Sequence, residues 1–360
     1  MAEIKIGWNF PLNEDGPEIG INDSGIEHFK GLPLSYLARE VCQNSLDARN
    51  TENAAPVQVR FSLELLPQEE FLGRDDFVKT LEACLDFWKI RKDKKAPKFF
   101  KSALNVFNGE PIPFLRISDF NTTGLLGAKC EGSDWHNLIK AIGVSEKGSG
   151  QGGSFGIGKH APFACSGLRT VFYSTLDQEG IRGFQGVARL VTHRSPLLGG
   201  RKAFALGYFG EKAGNKPIII TDEPPMPVRF LREQVGTDVF IAGFQYQKGW
   251  AAEIIKSIVS NFFVAVHRER LVVKVDGAEI NRITLSDHLK KCFAGDPNCY
   301  SEQFYECMTS EGSASHIEDF NGLGEVALFV RRDKNGPKKV AMFRQTGMLI
   351  KEKGHFRTPI

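Results

Sequence analysis

Apolar residues recur with helical spacing near the start of the chain. The repeat predicts a helix over residues 34–50, and Pro33 stands directly before it as a start signal. Its members are Leu34, Leu37, Ala38, Val41, Ser45 and Leu46. A second helical spacing lies in a charged stretch from 68 to 96, at Phe77, Leu81, Leu85 and Trp88. We also expect a short helix at 135–142 and a longer one at 250–266.

Strand patterns dominate the rest of the chain, as alternating or continuous apolar runs bounded by turn residues. They are VQVRFSLELL, PFLRISD, LRTVFYSTL, GFQGVARLVTH, KAFALGYFG, KPIIIT, TDVFIAGF and LVVKVDG, followed near the end by EVALFVRR and KKVAMFRQ. We expect the last two to form a hairpin through a turn at 335–337, whereas residues 285–324 show no clear pattern. Helices combined with an antiparallel-rich sheet indicate the α+β class.

The composition is that of an ordinary globular protein and excludes several classes. The 360 residues are 41% hydrophobic and 25% charged, which is enough apolar sequence for a core. The 7 cysteines never form a CxxC pair, which argues against zinc or a disulfide framework and favours a reducing cytoplasm. We expect neither a signal peptide nor a membrane partner, since no stretch approaches the ~20 apolar residues that span a bilayer.

Charge is concentrated in one place although the net charge is only +3. The run from Lys89 to Lys101 also contains Arg91, Lys92, Lys94, Lys95 and Lys98, with Asp93 as its single acid. A solvated helix end is the commoner explanation of such a run. Nucleic acid is the alternative partner for it.

The run EVCQNSLDA carries three polar residues on one face of the first helix. Glu40, Asn44 and Asp47 are spaced by four and three residues, so they lie opposite the apolar stripe. A carboxylate can accept a proton from water there, and a neutral amide oxygen can bind a hard cation such as Mg²⁺. On its own, such spacing more often belongs to an exposed polar face.

Three further motifs follow in order. Asp119 ends the strand PFLRISD and is followed by NTTG, where a carboxylate can accept from an exocyclic amino group. The run GGSFGIGKHA brings backbone amides and Lys159 before a predicted helix start, an arrangement that suits phosphate. Gly236 and Thr237 open the strand TDVFIAGF. Each motif is weak alone, and the glycine run fits neither a Rossmann site nor a Walker A loop.

The order of these motifs resembles the nucleotide site of GHKL proteins, the superfamily of gyrase, heat-shock-90-like chaperones, histidine kinases and MutL, over residues 20–265. EVCQNSLDA is very similar to the MutL-type run, GSFGIG to the glycine box of heat-shock-90-like chaperones, and IGVSEKGSGQGGSFGIGK to MORC-type and type II topoisomerase-like ATPases. The resemblance implies a Bergerat-type two-layer sandwich, in which helices cover one face of a mixed sheet. It also implies ATP and Mg²⁺ as cofactors.

Roles follow from the resemblance, residue by residue. Glu40 would be the general base, Asn44 the Mg²⁺ ligand and Asp47 a support near the nucleotide. Asp119 would accept from the adenine amino group, with Thr237 beside it. The phosphates would be surrounded by Lys147, Gly153, Gly156, Gly158 and Lys159, beneath a lid over residues 125–152.

The chain departs from the family pattern at two places. In the family's DxGxG motif the first glycine is replaced by Asn121, and the second is shifted by one position to Gly124. Both are kept as nucleotide-binding candidates. A charged helical insertion over about 68–109 interrupts what is often a short connection.

The pattern along the chain predicts a soft domain boundary between 245 and 270, with a single continuous domain as the alternative. With the resemblance, this gives an ATP-binding domain at 1–265 and a smaller α/β transducer-like region at 266–360. Arg344 and Lys351 near the end are candidates to touch the terminal phosphate, although ordinary surface cations are the commoner case. The chain ends soon after a strand, which leaves open that it is a piece of a longer protein.

The function that these features favour is ATP hydrolysis, with lid closure and ATP-dependent homodimerisation driving a larger assembly. Roles in bacterial defence or DNA maintenance follow only by analogy. A non-hydrolysing ATP sensor or interaction module is the first alternative. A histidine-kinase-type protein kinase is the second, but the helix motif differs from that branch and no phosphoacceptor helix precedes it.

Overall fold

The computed structural model describes residues 4–141, 157–221, 224–294, 296, 298–322, 324–334 and 336–354. The predicted phosphate residues Lys147, Gly153 and Gly156 lie outside these ranges. The chain divides into two compact units, residues 1–250 and 251–360.

The first unit combines helices with one large sheet. Its helices are α1 (Ser24–Glu27), α2 (Pro33–Asp47), α3 (Arg74–Lys89), α4 (Lys95–Asn105), α5 (Asp134–Ile139) and α6 (Ala161–Ala164). Its strands are β1 (Ile6–Asn9), β2 (Val57–Leu66), β3 (Ile112–Phe120), β4 (Ser166–Leu176), β5 (Arg182–Arg189), β6 (His193–Arg194), β7 (Lys202–Ala203), β8 (Leu206–Glu211), β9 (Ile218–Ile219) and β10 (Gly236–Phe244). The sheet order is β1-β8-β5-β4-β10-β3-β2, with β9 beside β5 and β6 paired with β7 separately.

The strands of this sheet pair antiparallel across the described residues of the unit. Residues in register share a face, because side chains alternate along a strand. Phe240 is in register with Arg116 on β3 and with Phe172 on β4, whereas the next residue, Val239, is in register with Ile117. Asp119 therefore shares a face with Ile117 and Val239, and lies on the face opposite Arg116.

The face that carries Arg116 is covered by α3 and α4. Buried aromatic side chains of the sheet and of these helices form one continuous core, which includes Trp8, Phe77, Phe100, Phe114, Phe172, Phe184, Phe209 and Phe240. The predicted insertion at 68–109 is thus a pair of amphipathic helices that buries its apolar stripe on the sheet. It adds a second helical layer, on the face that the sequence-based prediction leaves uncovered.

The opposite face carries a second core and the remaining helices. Ile26 of α1, Trp135 and Ile139 of α5, and Phe163 of α6 pack with sheet residues such as Tyr173. Helix α2 lies on this face too, since Ser45 donates to the Asp119 carboxylate. Because Leu37, Ala38 and Cys42 are fully buried, the polar face of α2 is left for the site.

The second unit is described separately. Its elements are α7 (Trp250–His267), which begins at the boundary, β11 (Leu271–Val275), β12 (Ala278–Ile280), α8 (Leu285–Phe293), α9 (Ser301–Thr309), β13 (Ala314–Phe320), β14 (Gly324–Val330), β15 (Lys339–Phe343) and β16 (Leu349–Gly354). The strands form the antiparallel hairpins β11-β12, β13-β14 and β15-β16. Phe343 packs on Phe263 of α7, with ring centroids 4.9 Å apart.

The α+β class, with helices packed against a large sheet, is confirmed. The hairpin predicted through residues 335–337 is wrong, because β14 pairs with β13 and β15 with β16. Residues 285–324 form α8, α9 and β13. Within the described part of the chain, no helix is both long and apolar enough to cross a membrane.

Candidate functional site

Helix α2 presents the predicted catalytic face. Pro33 occupies its first turn, where a missing N–H costs nothing, and Leu34, Leu37 and Leu46 anchor its apolar stripe. On the polar side Asn44 is exposed, while Glu40 and Asp47 are half-buried. The exposed amide oxygen of Asn44 therefore lies one helical turn from the Glu40 carboxylate.

Asp119, at the end of β3, is the most heavily bonded side chain of the site. Its Oδ1 accepts from the Thr122 hydroxyl and the Thr237 amide, each at 2.8 Å, and its Oδ2 accepts from the Ser45 hydroxyl at 3.3 Å. Burial raises the pKa of the Asp119 carboxyl, although these donors favour its ionised form. An ionised carboxylate offers about four acceptor positions. Among the described residues three donors are used, so Oδ2 retains capacity for an amino group.

Asn121, which replaces a family glycine, keeps a glycine-like backbone. Its φ is 60°, in the left-handed region that glycine and, next, asparagine adopt most readily. Its Nδ2 donates to the Pro56 carbonyl at 2.7 Å, and its own carbonyl accepts from the Asn50 amide at 3.0 Å. Asn121 therefore forms a left-handed turn after β3 and ties it to the segment after α2.

Gly124 and Gly236 hold the loop and the strand together. Gly124 has φ 69°, and a Cβ there would lie 2.6 Å from the Leu176 carbonyl oxygen. Gly236 has φ 141°, and a Cβ there would overlap with Arg232 Nη2 and lie 2.9 Å from Asp119 Oδ1. A side chain at either position would push β4 or β10 away from the Asp119 turn. The turn is thus closely packed on both strands.

Gly158 lies against the predicted general base. A Cβ at Gly158 would overlap with Glu40 Oε2 and lie 2.8 Å from Glu40 Cδ. Helix α2 consequently touches the glycine run through Glu40 and the Asp119 turn through Ser45. These two points are five residues apart, or about 7.5 Å along the helix axis.

Lys159 is directed elsewhere than at a helix N-terminus. The residues after it form a single short turn, Ala161–Ala164, rather than a full helix. The Lys159 ammonium donates to the carbonyl of Asn137 at 3.0 Å and to that of Ala141, at the C-terminal end of α5. Burial, and then the nearby Arg189, lower the pKa of Lys159. Its predicted phosphate contact would require it to exchange these carbonyls for phosphate oxygens.

Thr237 lies beside Asp119 as predicted from the sequence. Its amide donates to Asp119, and its hydroxyl lies 3.5 Å from that of Thr175 on the neighbouring strand β4. The Thr175 hydroxyl also accepts from the Leu125 amide at 2.9 Å. The start of the predicted lid is therefore fixed to the same strand pair as Thr237.

Sequence reasoning missed three residues that contact Asp119: Ser45, Thr122 and Arg232. Ser45 is counted in the apolar stripe of α2, where a hydroxyl among buried positions is itself a signal. Thr122 follows Asp119 by three residues, a spacing at which turn side chains commonly bond. No sequence pattern near Arg232 indicates its contact with Asp119, because only the fold brings the two residues together.

The two tail cations lie in the second unit. Arg344 starts the turn between β15 and β16, where its amide donates to the Met348 carbonyl at 2.8 Å. Lys351 is exposed on β16, in register with Met342. Their contact with a terminal phosphate stays a prediction.

The basic run spans the end of α3 and the start of α4. The buried positions of α4 are Ala96, Phe100 and Ala103, and its exposed ones include Lys95, Lys98 and Lys101. Arg91 pairs with Glu18 at 2.7 Å and lies 4.8 Å from the Trp88 ring. The run therefore combines the ends of two helices with a short connection at 91–94, where Arg91 is held by Glu18.

Similarity to known proteins is found among solved structures. No protein-family model and no curated protein sequence matches the chain. The structure is similar to the crystal structure of the ATPase and transducer domains of DNA topoisomerase II from Balamuthia mandrillaris, at 11% identity and a TM-score of 0.39. The similarity covers 88% of this chain and 60% of that chain. The function proposed below rests on the site geometry instead.

Proposed function

We propose that the chain is a GHKL-type module that binds ATP and hydrolyses it to ADP and phosphate. The observation that carries the proposal is the position of α2 between two motifs. Its Ser45 bonds Asp119, while its Glu40 meets Gly158. An adenine-binding carboxylate and a general base are thereby held by one rigid helix, in the order that the sequence resemblance implies.

The Asp119 end of the site suits an adenine base. The remaining acceptor capacity of Asp119 Oδ2 complements an exocyclic amino group, which only donates. The donors around Asp119 orient its carboxylate before any ligand arrives. Guanine presents a carbonyl oxygen where adenine presents that amino group, and a carboxylate repels it. The site should therefore prefer ATP to GTP.

The α2 polar face fits Mg²⁺ and an attacking water. Mg²⁺ prefers oxygen ligands and commonly takes only one or two from the protein, the rest coming from phosphates and water. The exposed Asn44 supplies such an oxygen, with Asp47 one turn away. When bound, the ion would neutralise developing charge on the phosphate oxygens. Because Gly158 has no side chain, the glycine run proposed to hold the phosphates can lie directly against Glu40.

Hydrolysis then needs a base and a route for the leaving group. Glu40 would accept a proton as water attacks the terminal phosphorus. The bond between that phosphorus and the bridging oxygen breaks, and ADP leaves with the electron pair. Lys159 and Lys147 would stabilise the phosphate oxygens, and Arg344 or Lys351 would add charge from the second unit.

Phosphate release and nucleotide affinity together test this proposal. We expect Glu40→Ala to bind ATP with near wild-type affinity but to lose phosphate release by about 100-fold or more, because it lacks the base. Asp119→Asn should weaken ATP binding, because an amide cannot replace an acceptor-only carboxylate. If wild type and Glu40→Ala both bind ATP and neither releases phosphate, the chain is an ATP sensor and not an ATPase.

The proposal also includes the assembly of two copies of the chain. Lid closure over bound ATP would create a surface for a second copy, and hydrolysis would release it. The homodimer would in turn drive a protein partner or larger assembly.

Nucleic acid is proposed as a partner of the basic run. Lys95, Lys98 and Lys101 occupy one exposed face of α4. Fluorescence anisotropy with a short DNA duplex should show salt-sensitive binding that Lys98→Glu with Lys101→Glu abolishes. Unchanged binding by that double variant would exclude this surface.

A further inference from the structure

The carboxylate of Asp119 lies on one face of the sheet, but a charged cluster on the other face holds its backbone. Asp238 of β10 is fully buried. Its Oδ1 accepts from Arg232 Nη1 at 2.7 Å, and its Oδ2 accepts from Arg116 Nη2 at 2.8 Å. Asp238 is in register with Ser118, so the cluster shares the face covered by α3 and α4.

The guanidinium of Arg232 reaches from this cluster to Asp119. It is 4% exposed, its Nη2 donates to the Asp119 carbonyl, and its Nε donates to the Gln234 carbonyl at 2.9 Å. The approach is possible only because Gly236 has no side chain, since a Cβ there would overlap with Arg232 Nη2. Every nitrogen of the guanidinium therefore has an assigned acceptor.

Arg232 also fixes the residue after Asp119. Its guanidinium carbon lies 4.3 Å from the centroid of the Phe120 ring. The peptide that joins Asp119 to Phe120 is thus held at its carbonyl and through the ring that follows. On the other face, Thr122, Thr237 and Ser45 hold the carboxylate. The two sets of contacts fix Asp119 from both sides of the sheet.

The free-energy cost of burying the Arg232–Asp238 ion pair argues that this pair has a specific role. A buried ion pair usually contributes little net stability, because desolvation offsets the attraction. An apolar pair could fill the same space on this face of the sheet, which carries the aromatic core and where Arg116 lies 5.2 Å from the centroid of the Phe240 ring. Apolar side chains, however, could not donate a hydrogen bond to the Asp119 carbonyl.

We propose that Arg232, held in place by Asp238, is a positioning residue for Asp119 and so for base recognition. This inference rests on the proposed adenine site. Arg232 touches no nucleotide itself. It keeps the β3 end and the Asp119 carboxylate in the geometry that distinguishes an amino group from a carbonyl. Glu40 contacts Gly158, whereas Asp119 is reached through Ser45 of the same helix. Catalysis at Glu40 therefore does not depend on Arg232.

Arg232→Met tests the inference, with Arg116→Met as a matched control. Each variant removes one guanidinium from Asp238 and leaves the other, but only Arg232 contacts Asp119. Equilibrium dissociation constants for ATP and GTP and the kcat of phosphate release would be measured on the full chain, at a temperature where circular dichroism shows each protein folded. Arg232→Met should weaken ATP binding by about 10- to 100-fold and reduce the ATP-to-GTP preference, with kcat nearly unchanged.

A second variant, Arg232→Lys, covers the case in which Arg232→Met fails to fold. Arg232→Lys keeps the charge but not the planar fork, so it can serve Asp238 or the Asp119 carbonyl and should give an intermediate ATP preference. The inference is overturned if Arg116→Met matches Arg232→Met, or if ATP and GTP weaken equally. If wild type binds ATP, Asp119→Asn does not, and both Arg232 variants keep full preference, only this inference fails. If wild type does not bind ATP, the proposed function fails with it.

Discussion

Three glycines and one asparagine set the shape of the candidate site. Gly158 makes room for the Glu40 carboxylate, Gly236 for the Arg232 guanidinium, and Gly124 for the end of β4. Asn121 supplies the left-handed turn between them. At each of the three glycines an added Cβ would come within 3.0 Å of a neighbouring group, which would have to move. Function at such distances is sensitive to shifts of this kind.

Gly158→Ala should therefore slow hydrolysis by the ATP-bound protein. The new methyl group would displace the Glu40 carboxylate, so we expect kcat for phosphate release to fall by about tenfold or more. Gly31→Ala is the matched control, because a Cβ there meets nothing within 4 Å. Phosphate release by both variants at saturating ATP is the measurement. Equal rates would contradict the contact between Gly158 and the base.

Acidification should weaken ATP binding through Asp119. Burial raises the pKa of this carboxyl, so on falling pH it takes up a proton earlier than an ordinary aspartate. Full affinity is expected above the raised pKa and loss below it, since the protonated group no longer offers two acceptor oxygens. The ratio of ATP to GTP affinity, measured from about pH 8 to about pH 5, cancels the titration of the phosphates. A ratio that does not change with pH would contradict an ionised Asp119.

What the sequence predicts at single positions depends on how local the contact is. Asp119 and Thr237 can be identified because their residue types and motif order carry the chemistry. Ser45 falls among the positions counted as apolar, and its hydroxyl gains meaning only when β3 is placed against α2. Arg232 and Asp119 are 113 residues apart, so only the sheet register brings them together. Periodicity holds no information about such contacts.

The insertion helices α3 and α4 show the same limit for whole elements. The apolar spacing at Phe77, Leu81 and Trp88 predicts a helix, and the structure contains it. The spacing does not say that the helix covers the sheet face opposite α2. Strand pairing fails in the same way near the end, where β14 is predicted to pair with β15 and pairs with β13. A pattern identifies a strand, but its partner is chosen by packing.

Phe100→Ala tests the structural role of the insertion. Phe100 is fully buried in the aromatic core, so its truncation should lower the free energy of unfolding by about 3–5 kcal/mol. Ile90→Ala in the same insertion is the control, since Ile90 is 83% exposed and its loss should cost no more than about 0.5 kcal/mol. Urea unfolding gives both values. Similar values for the two variants would show that α4 is not part of the core.

The whole molecule divides at residue 250 into two compact units. The N-terminal segment belongs to the first of them, because β1 pairs with β8 and Trp8 is buried beside Phe77. If this segment were exchanged between the two copies of a dimer, it would have to leave a well-packed position. A dimer that keeps β1 in its own sheet agrees better with this packing.

ATP should raise the molecular mass in solution. Glu40→Ala is expected to bind ATP without turnover, so the closed state would accumulate and light scattering should report about twice the monomer mass. ADP should leave the monomer mass unchanged, and Asp119→Asn with ATP should do the same. A constant mass under all three conditions would contradict the dimer.

The placement of the tryptophans gives this chain a built-in optical probe. Trp8 and Trp88 belong to the aromatic core under α3 and α4, whereas Trp135 of α5 is 3% exposed in the core of the other face. Replacing the other tryptophans, Trp8, Trp88 and Trp250, with phenylalanine would leave Trp135 as the sole indole emitter. Because α5 lies within the predicted lid, the emission maximum of that one ring would report lid movement in a cuvette, without any attached dye.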